Sequence, residues 1–444
     1  MLCVLAISGC KKYLDVKSDA KLVVPSTISD LQGILDDASS MNLVRTPSYG
    51  DNSADDYFLP KANYDAVSVN MQAVYKRQRR EYRYANDWSV SYLPIYNANL
   101  CLEILDEIER TPLNGREWDN VKGSGLFFRS YYIYLMTVNY GLAYDPATSA
   151  NDLGVVLRLN SDFNVPSQRS SVEDCLERAI SDTQASLNFL PETPLNQLRP
   201  SKAAGYALLA RIYLYMNDYV NATRYADECL RIRSQLMDFN NDSDIIGLDQ
   251  NIPFRRFNKE TIFYTEMYSG FGMLNTTRAK IDTNLYASYS VNDLRRRAYF
   301  RANGLYQQFK GSYSSSSTTF FSGFATDELY LIRAEGRAYM GNLSGAMEDL
   351  NLLLKSRWRN TVPYVPVGAA NVRDALTRIR IERRKELLMR NLRWADIKRL
   401  NKDGENIVLR RNIEGQVFDL LPNDPFYALP LPDDIIQQTG MQQN

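Results

Sequence analysis

Apolar residues recur at helical spacing along most of the chain. Over residues 92–110 the stripe Leu93, Tyr96, Leu100, Ile104, Leu105 and Ile108 keeps the roughly 3.6-residue period of an amphipathic helix. Residues 125–140 are denser, with Phe127, Phe128, Tyr131, Tyr132, Tyr134 and Leu135. That pattern predicts a helix buried on most sides, with Gly141 placed to end it. Residues 172–190 read as a further amphipathic helix closed by Pro191 and Pro194. Ser26 and Thr27 precede Ile28 to Leu35 as a capping pair. Residues 373–400 form a long charged helical stretch with Leu376, Ile379 and Leu387 on one side, and Asn391 is a candidate break.

Two segments echo each other. Residues 201–233 carry Ala210, Tyr215-Met216-Asn217 and Ala222; residues 327–354 carry Ala334, Tyr339-Met340-Gly341 and Ala346, at the same separation. Each predicts a helix, a tight turn at Asn217-Asp218 or Gly341-Asn342, and a second helix. Alanine at the crossing lets the two helices approach closely. The pattern resembles a tetratricopeptide helix pair, with Leu209, Ala210, Tyr213, Ala222 and Ala226 at its small and large positions. Residues 240–323 change character, mixing Phe, Tyr, Asn, Gly and Ser around the serine run 314–317. Short strands can hide there. A second loop-like stretch spans 39–64, and the tail from 419 is rich in proline. The expected fold is mostly α. Tetratricopeptide-like hairpins form a scaffold over about 90–235 and 325–400, and a loop-rich ligand-side region covers about 240–323.

Composition narrows the function. Lys+Arg and Asp+Glu each number 52, so no overall field draws nucleic acid. The chain has no histidine, which excludes Ser-His-Asp and Cys-His catalysis and imidazole ligation of metal. Cys101, Cys175 and Cys229 sit within apolar helical patterns and read as small core side chains. The 30 tyrosines suit wet interfaces with sugar or peptide. Glu382 and Glu386 share a helix face, but Arg383, Arg384 and Lys385 surround them. They read as exposed ion pairs that hold the C-terminal helices beside Trp394 and Asp396, not as an acid/base pair. A glycosidase acting through two carboxylates is the alternative, but no isolated pair stands out. No enzyme is expected.

The first nine residues are apolar and then small, and they end at Cys10. They resemble the end of a bacterial lipoprotein signal, with Ile7-Ser8-Gly9-Cys10 as the lipobox and residues 1–9 removed. Cys10 would carry the lipid that anchors the body over 10–444 to a membrane. No later stretch approaches the roughly 20 apolar residues of a spanning helix.

Six blocks in order resemble the SusD/RagB family. They are Cys10-Lys11-Lys12-Tyr13-Leu14-Asp15; Arg129-Ser130-Tyr131-Tyr132-Ile133-Tyr134 running to Gly141; residues 202–211 with Asn217-Asp218-Tyr219; residues 328–335 with Gly341-Asn342; residues 381–387 with Arg393-Trp394-Ala395-Asp396; and Leu429-Pro430-Leu431-Pro432. The resemblance implies a helical fold of four tetratricopeptide-like pairs with loops building the ligand surface. It implies a lipoprotein at the outer-membrane surface, partnered with a SusC-like TonB-dependent transporter. Its cargo would be oligosaccharide, or peptide as in the RagB branch.

Sugar rings present flat C–H faces to aromatic side chains, and their hydroxyls need amides or carboxylates nearby; loops supply both. The first loop offers Tyr49, Asp51, Asn52, Asp55, Tyr57 and Phe58, and Trp88 follows Asn86 and Asp87 just before a helix. The later loop offers Tyr268, Phe271, Tyr289, Tyr313 and Phe320. The expected ligand contacts are Asp55, Phe58, Tyr57, Trp88, Phe271 and Tyr289, with a subset of the last four as a stacking platform. Asp51, Asp55 and Asp56 could ligate calcium through oxygen, but they lack the glycine and distal glutamate of an EF-hand. No metal or cofactor is expected.

Overall fold

The computed structural model describes residues 25–444 apart from Tyr82, Tyr84 and Ala85. The expected signal over 1–9 and the expected lipid site Cys10 lie outside these residues.

The chain is mostly helical, as its periodicity predicts. Thr27 caps Ile28–Asp36 in a reciprocal box with Asp30. The helix Asp87–Asp106 starts ahead of its apolar stripe because the Asn86 side chain accepts the Ser89 N–H at 2.9 Å. Asp87 and Trp88 therefore lie in the first turn rather than before it. Gly115–Tyr140 follows, with its second half almost wholly buried, and packs on Val172–Ser186. Gly141 ends that helix, but not as a left-handed cap: its φ and ψ are −99° and 165°. A Cβ there would sit 2.9 Å from Val172 and 3.0 Å from the Thr137 carbonyl, so glycine is needed for close approach.

The echoed segments fold as expected into two helical hairpins. Lys202–Tyr215 pairs with Tyr219–Ile232, and Thr326–Tyr339 with Leu343–Ser356. Asn217 (φ 58°) and Gly341 (φ 82°) turn the chain. Asp218 and Asn342 then cap the second helices. The hairpins meet where Gly336 lies over Thr223, so close that a Cβ would come within 2.0 Å of Oγ1. Val372–Glu386 and Arg393–Lys402 close the scaffold, and Asn391 (φ 62°) separates them as expected.

Ten short strands form five two-stranded antiparallel sheets among the described residues. Three of these pin down the loop-rich segment. Lys280–Ile281 pairs with Tyr57–Phe58, Thr261–Phe263 with Phe324–Ala325, and Phe300–Asn303 with Tyr306–Phe309. The segment is tied into the core rather than draped over it: Phe263, Met273, Ile281, Tyr299 and Tyr313 are all buried.

The Arg/Glu-rich blocks differ from the sequence reading, which placed their ion pairs at the surface. Arg357 lies between Glu260 and Glu386, 2.8 Å from each, and all three side chains are at most 1% exposed. Arg295 reaches Asp293 (2.6 Å), Glu382 (2.6 Å) and Glu386 (2.9 Å). Arg211 grips Glu328, Arg399 grips Glu335, and Arg383 grips Asp396. Burial pushes the Glu386 carboxyl up, but Arg357 and Arg295 outweigh it and hold the group at about 2. Guanidinium donors in bonding contact thus keep the Glu386 carboxylate charged inside the protein. Cys101, Cys175 and Cys229 are buried free thiols. No described helix is long and apolar enough to cross a membrane.

Candidate ligand-binding site

Two adjoining concavities share the side chain of Tyr268. The first, about 290 Å³, is lined by Asn70, Met71, Arg80, Glu81, Arg83, Asn86, Gly270 and Phe271. The second, about 240 Å³, is lined by Asn52, Met267, Ser269, Gly272, Leu274, Asn275, Thr318, Thr319 and Phe320.

The floor is built from the short helix Tyr49–Ser53, all of it buried. Asp87, in the first turn of Asp87–Asp106, accepts the Ser48 and Tyr49 N–H groups at 2.7 and 2.6 Å. Asn139 accepts the Gly50 N–H at 3.0 Å, and Trp394 packs where a Gly50 Cβ would stand. Tyr49 is so fixed beneath Phe271, with ring centroids 5.0 Å apart. The Arg80 guanidinium lies over both rings, 5.5 Å from Phe271 and 6.0 Å from Tyr49, a cation–π arrangement. Burial pushes the Asp87 carboxyl up to about 7 against the two backbone donors. Burial and then the charge of Asp56 push Asp51 to about 7 as well, although the Asn391 N–H bonds to it.

Backbone bonds set the wall. The Tyr268 N–H donates to the Thr46 carbonyl and the Met267 N–H to the Phe320 carbonyl, both at 2.9 Å. Gly272 takes a left-handed φ of 66°, and Arg278 bonds its carbonyl at 2.9 Å. Thr276 ties this loop to the serine run by donating to the Ser317 carbonyl at 2.8 Å. The result is a half-buried phenol between two hollows, with amides and hydroxyls around it. Glu81 is the single carboxylate among the lining residues, and Arg83 bonds it at 2.7 Å. The paired carboxylates of glycoside hydrolysis are not assembled there among the described residues.

The six expected contact residues do not come together. Tyr57 is 1% exposed and donates its hydroxyl to the Asn52 carbonyl at 2.6 Å. Tyr289 is equally buried and donates to the Lys385 carbonyl at 2.7 Å. Neither ring offers a face to a ligand, and the stacking platform is corrected on that ground. Asp55 is spent on Arg393 at 2.7 Å, and Asp56 on Arg384 at 2.9 Å. Phe58 packs edge-on against Tyr306. Trp88 packs between Tyr92 and Tyr140 and borders a different cavity. Phe271 does line the first concavity; of the later loop, Tyr268 borders both concavities and Phe320 the second. Asn86, offered beside Trp88, lines the first concavity, whereas sequence reasoning missed Arg80, Asn70 and Thr318. The glycines at 270 and 272 around Phe271 were the signal for a shaped loop at this point.

The chain is a helical protein whose loops shape two adjoining hollows. Residues 12–214 match the family described as starch-binding, associating with the outer membrane, and residues 259–444 match the SusD family. The chain belongs to the SusD/RagB family, whose members are binding proteins. Solved structures share the fold. A SusD superfamily protein from Bacteroides thetaiotaomicron superposes with a TM-score of 0.75 at 21% identity, covering 94% of this chain and 99% of that one. A putative sugar-binding protein from Bacteroides vulgatus gives 0.75 at 19%, covering 95% and 99%. A SusD-like carbohydrate-binding protein from the same species gives 0.67 at 18%, covering 94% and 97%. No curated protein matches the chain.

Proposed function

We propose that this protein captures oligosaccharide at the outer-membrane surface and passes it to a SusC-like TonB-dependent transporter, with Cys10 carrying the lipid anchor. The observation that carries the reading is the double hollow about Tyr268. The half-buried Tyr268 ring stands between polar walls from Asn70, Arg80, Asn86, Asn275 and Thr318. Sugar rings stack on the first and hydrogen-bond to the second, and two linked hollows suit more than one ring. The two B. vulgatus relatives named for sugar or carbohydrate binding support the same cargo class.

Calorimetry tests the cargo: a glycan panel and a peptide digest are titrated into the protein and into Tyr268→Ala. Heat from a glycan that falls at least about tenfold in affinity in the variant supports the reading. Heat from the digest alone replaces oligosaccharide with peptide. Fractionation tests the anchor, since Cys10→Ala should move the protein out of the membrane fraction.

A further inference from the structure

A third cavity, about 510 Å³, shares no lining residue with the two hollows. Its size falls within the roughly 300–1,000 Å³ of small-molecule sites. Three distant segments form it: the first turns of Asp87–Asp106, residues 156–167, and the short C-terminal helix Asp433–Thr439 with Met441.

The 158–167 loop is braced from beneath. The Asn99 amide donates to the carbonyls of Arg158 and Asn160 at 2.9 and 3.1 Å. Glu103 accepts the Ser161 N–H at 2.8 Å. Arg158 clasps the far end of the loop, donating to the Val165 carbonyl at 2.7 Å and to Ser167 Oγ at 2.6 Å. This bracing holds Phe163 out in solvent, 82% exposed. Tyr96, on the helical wall of the same cavity, is 42% exposed. A large apolar ring this exposed and this well braced loses little conformational freedom when something stacks on it.

The rest of the lining defines the ligand. Asn160, Asp162, Asn164 and Gln438 supply amides and one carboxylate. The sole cation of the lining, Arg158, is committed to the loop. No lysine, histidine or cysteine is present. An anion has no free partner there, and a metal finds too few ligands. A wholly apolar guest would strip water from the amides without replacing its bonds. What fits is a neutral guest with one apolar face and a rim of hydroxyls. We propose that this cavity is a second sugar site, taking a pyranose ring on Tyr96 and Phe163 and bonding its hydroxyls to Asn160, Asp162 and Gln438. It stands apart from the Tyr268 site and does not depend on it.

Saturation-transfer NMR tests the proposal on the full chain, with D-glucose, D-galactose, D-mannose, D-xylose and L-fucose as probes. The proteins compared are the wild type, Tyr96→Ala/Phe163→Ala and Tyr268→Ala. The expected result is transfer to at least one of these sugars that persists in Tyr268→Ala and falls at least about fivefold in the double variant, roughly 1 kcal/mol by the affinity relation. Should the double variant lose its melting transition, Phe163→Ser replaces it, because that side chain is nearly all in solvent. If none of the five sugars gives a signal that depends on Tyr96 or Phe163, the second site is overturned. A signal abolished by Tyr268→Ala and untouched by the double variant overturns it equally and leaves the Tyr268 reading standing.

Discussion

The Tyr268 ring lies against the backbone of Gly270, so close that a Cβ there would come within 2.3 Å of the phenol. Tyr268 is half-buried, and the ring can swing away only by leaving the ridge between the two hollows. Gly270→Ala should therefore lower cargo affinity about tenfold and leave the melting temperature nearly unchanged, as for most exposed positions. Titration calorimetry beside a thermal melt reads both. Unchanged affinity would mean that the ring position is irrelevant to capture.

Arg357 answers two buried carboxylates at once. Arg357→Met should cost about 3–5 kcal/mol, because Glu260 then loses its guanidinium partner while Glu386 keeps only Arg295. Adding Glu386→Gln should restore part of that loss. Urea unfolding measures both, and an Arg357→Met midpoint equal to that of the wild type contradicts the account.

Asp51 and Asp87 hold protons up to about pH 7 in the folded chain, whereas an unfolded aspartate releases its proton near pH 4. Between these values the folded state binds more protons than the unfolded one, so the stabilising contribution is complete below about pH 4 and is lost as pH rises toward 7. Asp51→Asn should flatten this part of the stability profile. Denaturant melts from pH 4.5 to 7.5 check it, and a slope identical in the variant would refute the assignment.

The hairpin crossing gives a paired test. A side chain at Gly336 would strike Thr223 Oγ1 and, at 2.9 Å, the Tyr219 carbonyl. Gly336→Leu should cost about 1–3 kcal/mol or more through overpacking. A side chain at Gly341 meets nothing within 4 Å, and Gly341→Ala should lose only the roughly 1 kcal/mol of its left-handed backbone. Equal losses in thermal denaturation would undo the distinction.

The helices and both hairpins were legible because periodicity and turn residues are local signals: Asn217, Gly341 and Asn391 mark real turns at the positions where the sequence puts them. The charged partners were not. Arg211 finds Glu328 and Arg295 finds Glu382 across long stretches of chain, and no local pattern encodes such a pairing. The binding residues failed for a related reason. Tyr57 and Tyr289 have polar neighbours in sequence, which suggests an open loop, yet strand pairing at Tyr57–Phe58 and the Lys385 carbonyl draw them inward. Phe271 was named simply as a loop aromatic, and the glycines on either side of it shape the loop that brings it to the hollow. Arg80 and Asn70 carry no comparable mark.

The two stretches recognised by family likeness, 12–214 and 259–444, look like separable modules on paper. The ion pairs and loop anchors say otherwise. Arg211 of the first holds Glu328 of the second, Asp55 is held by Arg393, and Arg77 reaches the Leu409 carbonyl. A chain severed near residue 250 would strand bare charge on both fragments, so neither piece should be transplantable between relatives without its counterpart.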